Sequence, residues 1–279
     1  EDSVLTQDNE TYRKLSEAND ENMILFQSFA QLQHKFSQNL ILYGGLHFQY
    51  FTLNNSYSLE PRASLKWNFL PNHSLSIGAG VHSQLQPRLF YFTETYLPDG
   101  STTYTNHDLN FSKSNQLIVS YDYLINKDIR LKLEAYYQHL YQIPVTQNPT
   151  YYSAINYGTK FFLDRVDSLE NTGTGKNYGI ELTFEKFLSD NYYFLITASL
   201  FDSKYTASDD IQRNTIYNGN YVVNFLTGYT FDIGQNSALS LDLKVVTAGG
   251  KRYVPVNLEA SQLAGYEVLD ISQAFETQY

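Results

Sequence analysis

The sequence predicts an all-β fold, an antiparallel transmembrane β-barrel. Three observations predict it: side-chain character alternates with period two along most of the chain, the alternating runs are long, and tight turns take turns with long loops. In 129–137, Ile129, Leu131, Leu133, Ala135 and Tyr137 alternate with Arg130, Lys132, Glu134 and Tyr136. Around 59–69, Leu59, Pro61, Ala63, Leu65, Trp67 and Phe69 oppose Glu60, Arg62, Ser64, Lys66 and Asn68. The stretch 239–245 sets Leu239, Leu241, Leu243 and Val245 against Ser240, Asp242 and Lys244. One stripe of a helix cannot produce this pattern.

About ten strands follow: 23–36, 39–53, 57–70, 74–92, 113–124, 129–144, 176–188, 192–206, 217–232 and 238–249. Many exceed the five or six residues usual in soluble proteins and suffice for the roughly 9–11 tilted residues that cross a bilayer. Short polar turns stand at Ser37-Gln38-Asn39, Pro71-Asn72-His73, Asn126-Lys127-Asp128, Ser189-Asp190-Asn191 and Gly234-Gln235-Asn236-Ser237. Between them lie long polar connections at 93–112, 145–175, 207–216 and 250–279; Asn54-Asn55-Ser56 alone is short. This sorting predicts turns on the periplasmic side and loops outside. Aromatics beside the turns (Phe36, Trp67, Phe69, Tyr121, Tyr123, Phe187, Tyr192, Phe231) occupy the place of an interfacial girdle.

Composition narrows the function. The 279 residues carry 19 Lys+Arg against 29 Asp+Glu, a formal net charge of −10, which argues against nucleic acid as a partner. With 25 Tyr and 18 Phe against one Trp and one Met, the chain favours residues that suit half-apolar, half-wet positions. Zero cysteines exclude disulfides, thiolate metal sites and a Cys nucleophile. Mean hydropathy is −0.38 and no long apolar run occurs, so no transmembrane helix is expected, while a barrel stays allowed because only alternate residues face lipid. No signal peptide is visible before Glu1-Asp2-Ser3.

No HExxH, GxSxG, P-loop or GxGxxG motif occurs, and no catalytic residue, cofactor or metal site is assigned. The carboxylate pair Asp209-Asp210 leaves an outer-membrane protease as the enzyme alternative. His47, Glu60, Arg62, Lys66 and His82 fall on the polar, lumen-facing parity of their strands, where they serve as wall charges or as contacts for a solute. The loops mix aromatic faces with hydrogen-bonding tips. Tyr96, Tyr104 and His107 in one, and Tyr151, Tyr152 and Tyr157 in the next, are candidates to hold glycans, peptides or chelates, or to pack on one another.

Both ends of the readable strands fall on the loop side, so 1–21 and 250–279 are expected as extracellular loop segments of a partial barrel domain covering 1–279. More strands are expected on each side, and Tyr279 is read as a truncation point.

The run from Asn171 to Lys186 (NTGTGKNYGIELTFEK) resembles the Gly-rich approach to a barrel strand in TonB-dependent outer-membrane receptors. So do Ala248–Ser261 (AGGKRYVPVNLEAS) and Leu59–Leu65 (LEPRASL). Together they are most similar to receptors of the Bacteroidota with an N-terminal carboxypeptidase-regulatory-like domain, and the resemblance covers the whole chain. It implies a bacterial outer-membrane location and a plugged barrel of about 22 strands, of which these are roughly strands 10 to 19. It implies import of a scarce solute, energised by the TonB system through a plug that this sequence does not contain. Outer-membrane lipids, the solute and a surface lipoprotein would be the partners. A non-transporting barrel acting as adhesin or assembly partner is the binding-class alternative.

Overall fold

Turn chemistry sets the connectivity. Asp190 (φ 51°) and Asn191 (φ 67°) are consecutive left-handed residues, a conformation that Asp and Asn tolerate and that two-residue hairpins require. Asn72 (φ 64°) and Gly234 (φ 69°) are single left-handed residues at two other turns. The Asn126 side-chain oxygen accepts from the Asp128 and Ile129 amides, and the Ser37 hydroxyl oxygen from those of Asn39 and Leu40. All five predicted turns form, at one end of the sheet.

This computed structural model describes residues 4–5, 11–12, 22–158 and 165–278. Ten long antiparallel strands follow one another as a meander. They are β1 (Leu25–Lys35), β2 (Leu40–Phe51), β3 (Ser56–Leu70), β4 (His73–Gln84), β5 (Ser112–Leu124), β6 (Ile129–Thr146), β7 (Leu169–Ser189), β8 (Tyr192–Thr206), β9 (Tyr221–Ile233) and β10 (Ser237–Ala248). Gln212–Asn214 adds a short segment to β8.

Directly facing residues share a face, so the register separates the two surfaces. On the outer face Tyr123, Leu131, Phe184, Ile196, Phe225 and Val245 form one row across β5–β10. One residue along, the inner row is Asp122, Lys132, Thr183, Thr197, Asn224 and Val246. The outer side chains lie bare: Ile180 is 57% exposed and Leu200 58%. A soluble protein could not leave such a continuous apolar face to water; lipid is the solvent it suits. Among the described residues β1 and β10 are each paired on one side only, and every residue of both is exposed. Long bare edges of this kind need further strands.

Aromatic rims bound the apolar face. Near the turns, the Trp67 ring lies tilted 5.4 Å from that of Phe69, Phe69 reaches Tyr121, and Tyr229 lies 4.5 Å from Phe231. Toward the loops, Tyr57, Tyr137, Tyr178 and Tyr221 point outward.

The buried core lies on the inner face at the loop end. Phe51, Phe90, Tyr91, Phe92, Leu109, Phe111 and Leu169 form one cluster, and Val145, Tyr205, Ala207, Ala274 and Phe275 a second.

Several boundaries differ from expectation. The strand expected to 92 ends at Gln84, because Pro87 has no amide to continue a ladder; helix α1 (Arg88–Tyr91) starts behind it and carries Phe90 and Tyr91 into the core. The connection expected at 145–175 is shorter, since β6 runs to Thr146 and β7 begins at Leu169. Gly173 and Gly175 are strand residues: a Cβ on Gly173 would sit 2.5 Å from Val145 Cγ1, so only glycine lets β7 meet the bulged end of β6. At 217–220, expected as strand, Asn220 (φ 68°) holds the chain out of the sheet until Tyr221. Helix α2 (Leu258–Ala264) and a two-residue pairing of Arg252–Tyr253 with Thr277–Gln278 fall within 250–278. Of 1–21, Val4–Leu5 pairs with Thr11–Tyr12; the rest of that segment, like Tyr279, lies outside the described residues.

Candidate functional site

Along the inner face of β3, burial changes abruptly. Arg62 is open, whereas Glu60 is 1% exposed and Ser58 and Ser56 beyond it are buried beneath the loop aromatics. A carboxylate this enclosed needs compensating partners. Gln49 Nε2 donates at 2.5 Å, the Ser83 hydroxyl donates to the same oxygen, and His47 Nδ1 and Arg62 Nη2 stand 3.1 and 2.5 Å from the other. Gln27 extends the network through Gln49 at 2.9 Å.

Arg62 and His82, with Gln31, Gln33, Tyr43 and Gln116, line an open cavity of about 570 Å³ on the inner face. His82 also borders a neighbouring cavity of about 430 Å³ that reaches Gln138, Ile155 and Tyr157. Lys66 stands apart, two positions further toward the turns, in a recess with Ser76, Asp122 and Glu134. Thus His47, Glu60 and Arg62 meet directly, His82 joins through the cavity, and Lys66 belongs to the lower wall. That wall is laced by Arg130, which joins Asp122 and, at 3.2 Å, Glu185.

The loop candidates fall into three places. Tyr104 packs edge-on against Phe92 at 5.8 Å, His107 lies 6.3 Å from the same ring, and Tyr157 packs on Phe90 at 4.6 Å; Tyr152 joins this cluster. Tyr151 belongs to the second, where its carbonyl accepts from Tyr205 Oη at 2.8 Å and its ring faces Phe275. Tyr96 is 63% exposed on a small pairing of Thr95–Tyr96 with Thr102–Thr103.

Sequence reasoning missed the asparagines that fasten this cap. Asn106, wholly buried, donates to the Val166 carbonyl at 2.8 Å and accepts from the Leu169 amide at 2.9 Å. Asn54 donates to the carbonyls of His107 and Leu109, and Asn171 joins Asn110 to Gln142. Burial pushes the Tyr91 hydroxyl up to about 12, against one hydrogen bond from the Gln86 amide, so it stays neutral in the core.

Asp209 is not poised for chemistry. Burial opposes its charge, but the hydrogen bonds from Arg213 and the Ile211 amide outweigh that and hold the carboxyl below its usual range. Its two oxygens take Arg213 at 2.9 and 2.7 Å, and the left-handed Asp210 (φ 57°) turns the chain back. Among the described residues no group of three or more His, Asp and Glu converges as for a metal ion.

A family model described as TonB dependent receptor-like, beta-barrel, matches residues 4–279. No curated protein sequence matches the chain. Among solved structures it is similar to the FrpB iron transporter of Neisseria meningitidis (F3-3 variant), with 14% identity and TM-score 0.56 over 83% of this chain and 34% of that one. The ferric-catecholate import receptor Fiu of Escherichia coli K12 gives 11% identity and 0.59, over 83% and 35%. The outer-membrane transporter YddB of Escherichia coli gives 12% and 0.60, over 88% and 36%. At these identities the likeness is one of fold, and the chain spans about a third of each neighbour's length.

Proposed function

The chain belongs to the TonB-dependent receptor-like β-barrel family, and from that membership we propose that the protein containing it imports a scarce solute across the outer membrane. It is an outer-membrane protein of the β-barrel kind, its apolar face against lipid. By the sidedness of such barrels the tight turns are periplasmic and the long loops extracellular.

The observation that carries the transport reading is the boundary at Glu60, where a wet, charged inner wall passes under a folded cap of loops. An adhesin needs the loops but has no use for a hydrated cavity beneath them. The solute, a metal chelate, glycan or peptide, meets the cap through Tyr96, Tyr104, His107, Tyr151, Tyr152 and Tyr157. It then meets the inner wall of His47, Glu60, Arg62, Lys66 and His82. Two neighbours are an iron transporter and a ferric-catecholate import receptor, which makes a ferric chelate the first solute to test. A lumen of about 22 strands is wide enough to require a plug, and the TonB system acts through it. The Gly-rich runs 171–186 and 248–261 support a Bacteroidota source and a carboxypeptidase-regulatory-like domain upstream. Leu258 (73% exposed), Leu263 (85%) and Tyr266 (71%) around α2 give a surface lipoprotein an apolar foothold.

Uptake by cells carrying the full-length protein tests the reading, using ferric chelates, oligosaccharides and peptides with and without an uncoupler. Energy-dependent uptake of one class, reduced by Tyr96→Ala and by Arg62→Ala, is expected. Absence of energy-dependent uptake for all three classes would overturn it.

A further inference from the structure

Register leaves a notch in the inner face just beneath the cap. One inner row runs His82, Ser114, Leu140, Gly175 and Tyr205, each facing the next across β4 to β8. Gly175 brings no side chain to that row, and the space between Leu140 and Tyr205 is filled from the cap instead. A Cβ at 175 would lie 2.8 Å from Ile155 Cδ1, 3.1 Å from Leu140 Cδ1 and 3.2 Å from the Lys204 carbonyl oxygen.

Ile155 belongs to the single 3₁₀ turn Ala154–Asn156, which with Tyr157 forms the cap side of the cavity of about 430 Å³. The turn divides its side chains between the two cores. Ala154 and Tyr157 pack on the Phe90 cluster, and Ile155 packs on the Tyr205 cluster. Around it Val145 bridges to Ser153, the Asn156 side-chain oxygen accepts from the Ile216 amide at 3.0 Å, and the Tyr157 carbonyl accepts from Tyr217 Oη at 2.7 Å. The left-handed Gly158 (φ 90°) follows directly.

Gly173 is the internal contrast. There a Cβ would meet the Ile143 carbonyl oxygen at 2.8 Å as well as Val145 Cγ1, so an added methyl collides with the backbone of β6. At Gly175 the two nearest atoms are the free ends of side chains, and the backbone oxygen stands further off. Strand pairing demands glycine at 173, whereas at 175 the absent side chain makes room for the turn.

We propose that Gly175 is a positioning residue: it seats Ile155 and so holds the 153–157 turn closed over the inner-wall cavity. A methyl at 175 takes the place of Ile155 Cδ1, and in a close-packed contact the turn has to lift, carrying Tyr157 with it. One steric fit then sets access to His82, Ser114 and Gln138 on the wall side of that cavity. The inference rests on the transport reading only in taking the cavity as part of the solute's path; the fit itself involves no solute.

Ser114 reports the closure. It lines the same cavity, is 8% exposed, and its hydroxyl has no hydrogen-bond partner among the described residues, so Ser114→Cys is a near-isosteric probe. These 279 residues contain no cysteine. The test is the labelling rate of Ser114→Cys by a charged, membrane-impermeant methanethiosulfonate, on cells carrying the full-length protein with any cysteine outside this segment replaced. Gly175→Ala should raise the rate roughly 5- to 30-fold. Adding Ile155→Val, which removes the methyl that Ala supplies, should restore it. Ile155→Ala at an intact Gly175 should also raise the rate, without bulk added to β7, and it decides the matter if Gly175→Ala fails to fold. Heat-dependent gel mobility of the barrel should stay the same in each variant. An unchanged rate in Ile155→Ala, or a Gly175→Ala effect that Ile155→Val does not reverse, overturns the proposal and leaves the transport reading standing. Failure of energy-dependent uptake overturns that reading and leaves the labelling result as it is.

Discussion

Glu60 and Arg62 stand two residues apart on the inner face of β3, and Arg62 Nη2 lies 2.5 Å from Glu60 Oε2, yet only the carboxylate is buried. The asymmetry predicts unequal mutants. Glu60→Ala strands Gln49, Ser83 and His47 together and should cost roughly 2–4 kcal/mol. Arg62→Met leaves three of the four partners in place and a cavity that water can enter, so it should cost about 1 kcal/mol or less. Temperature-dependent gel mobility of the full-length barrel measures both. A larger loss for Arg62→Met would refute the reading of Glu60 as the hub.

Asn106 joins the 85–111 connection to 166–169 through two backbone groups, with no water access at the side chain. Asn106→Leu leaves a buried carbonyl and a buried amide unpaired, at about 1–3 kcal/mol each. That loss should fall on the cap and spare the strands. Limited proteolysis is expected to cut within 85–111 in the variant while the gel-mobility transition of the barrel stays put. Joint loss of both would mean that cap and barrel fold as one unit.

These two sites mark where sequence legibility stops. Alternation such as Leu131/Lys132/Leu133/Glu134 is a local signal, and lipid on one side and water on the other enforce it residue by residue, so strand number, turns and faces could be read directly. The partners of Glu60 could not: Gln49 and Ser83 come from other strands, and their meeting depends on register and on the departure of β4 from β3 beyond Gly80. Asn106 carries no local mark either, since its partners lie about sixty residues away. Gly173 and Gly175 misled for the opposite reason. Glycine announces loops in general, but here it admits close packing within a strand.

Glu134 and Glu181 face each other directly across β6 and β7 on the inner wall. Glu134 keeps Lys132 at 2.7 Å, so Glu181 is the member whose charge can be removed without stranding a cation. Glu181→Gln should stabilise the barrel by about 0.2–1 kcal/mol. The gain should shrink in high salt, where the repulsion is screened. Unfolding in urea at low and high ionic strength measures it; a gain independent of salt would point to packing instead of charge.

Asp209 and Arg213 predict a pH response confined to one loop. Arg213 is 7% exposed, and Asp209 meets it through both oxygens while accepting from the Ile211 amide. Burial acts against the Asp209 charge, but these hydrogen bonds prevail and the folded carboxyl lies below its ordinary value. For a depressed carboxyl the folded state binds fewer protons than the unfolded one. Its stabilising contribution is therefore complete above the unfolded value near 4 and disappears as pH falls through the lower, folded value. Amide protection across 207–216, corrected for intrinsic exchange, should be level from neutral pH down to about 4 and fall below it. Asp209→Asn should lower protection at neutral pH and remove the acid-dependent fall, while Asp210→Asn should leave both unchanged. If the wild-type loop kept its protection well below pH 3, the Arg213 pair would not be what holds 207–216 against β8.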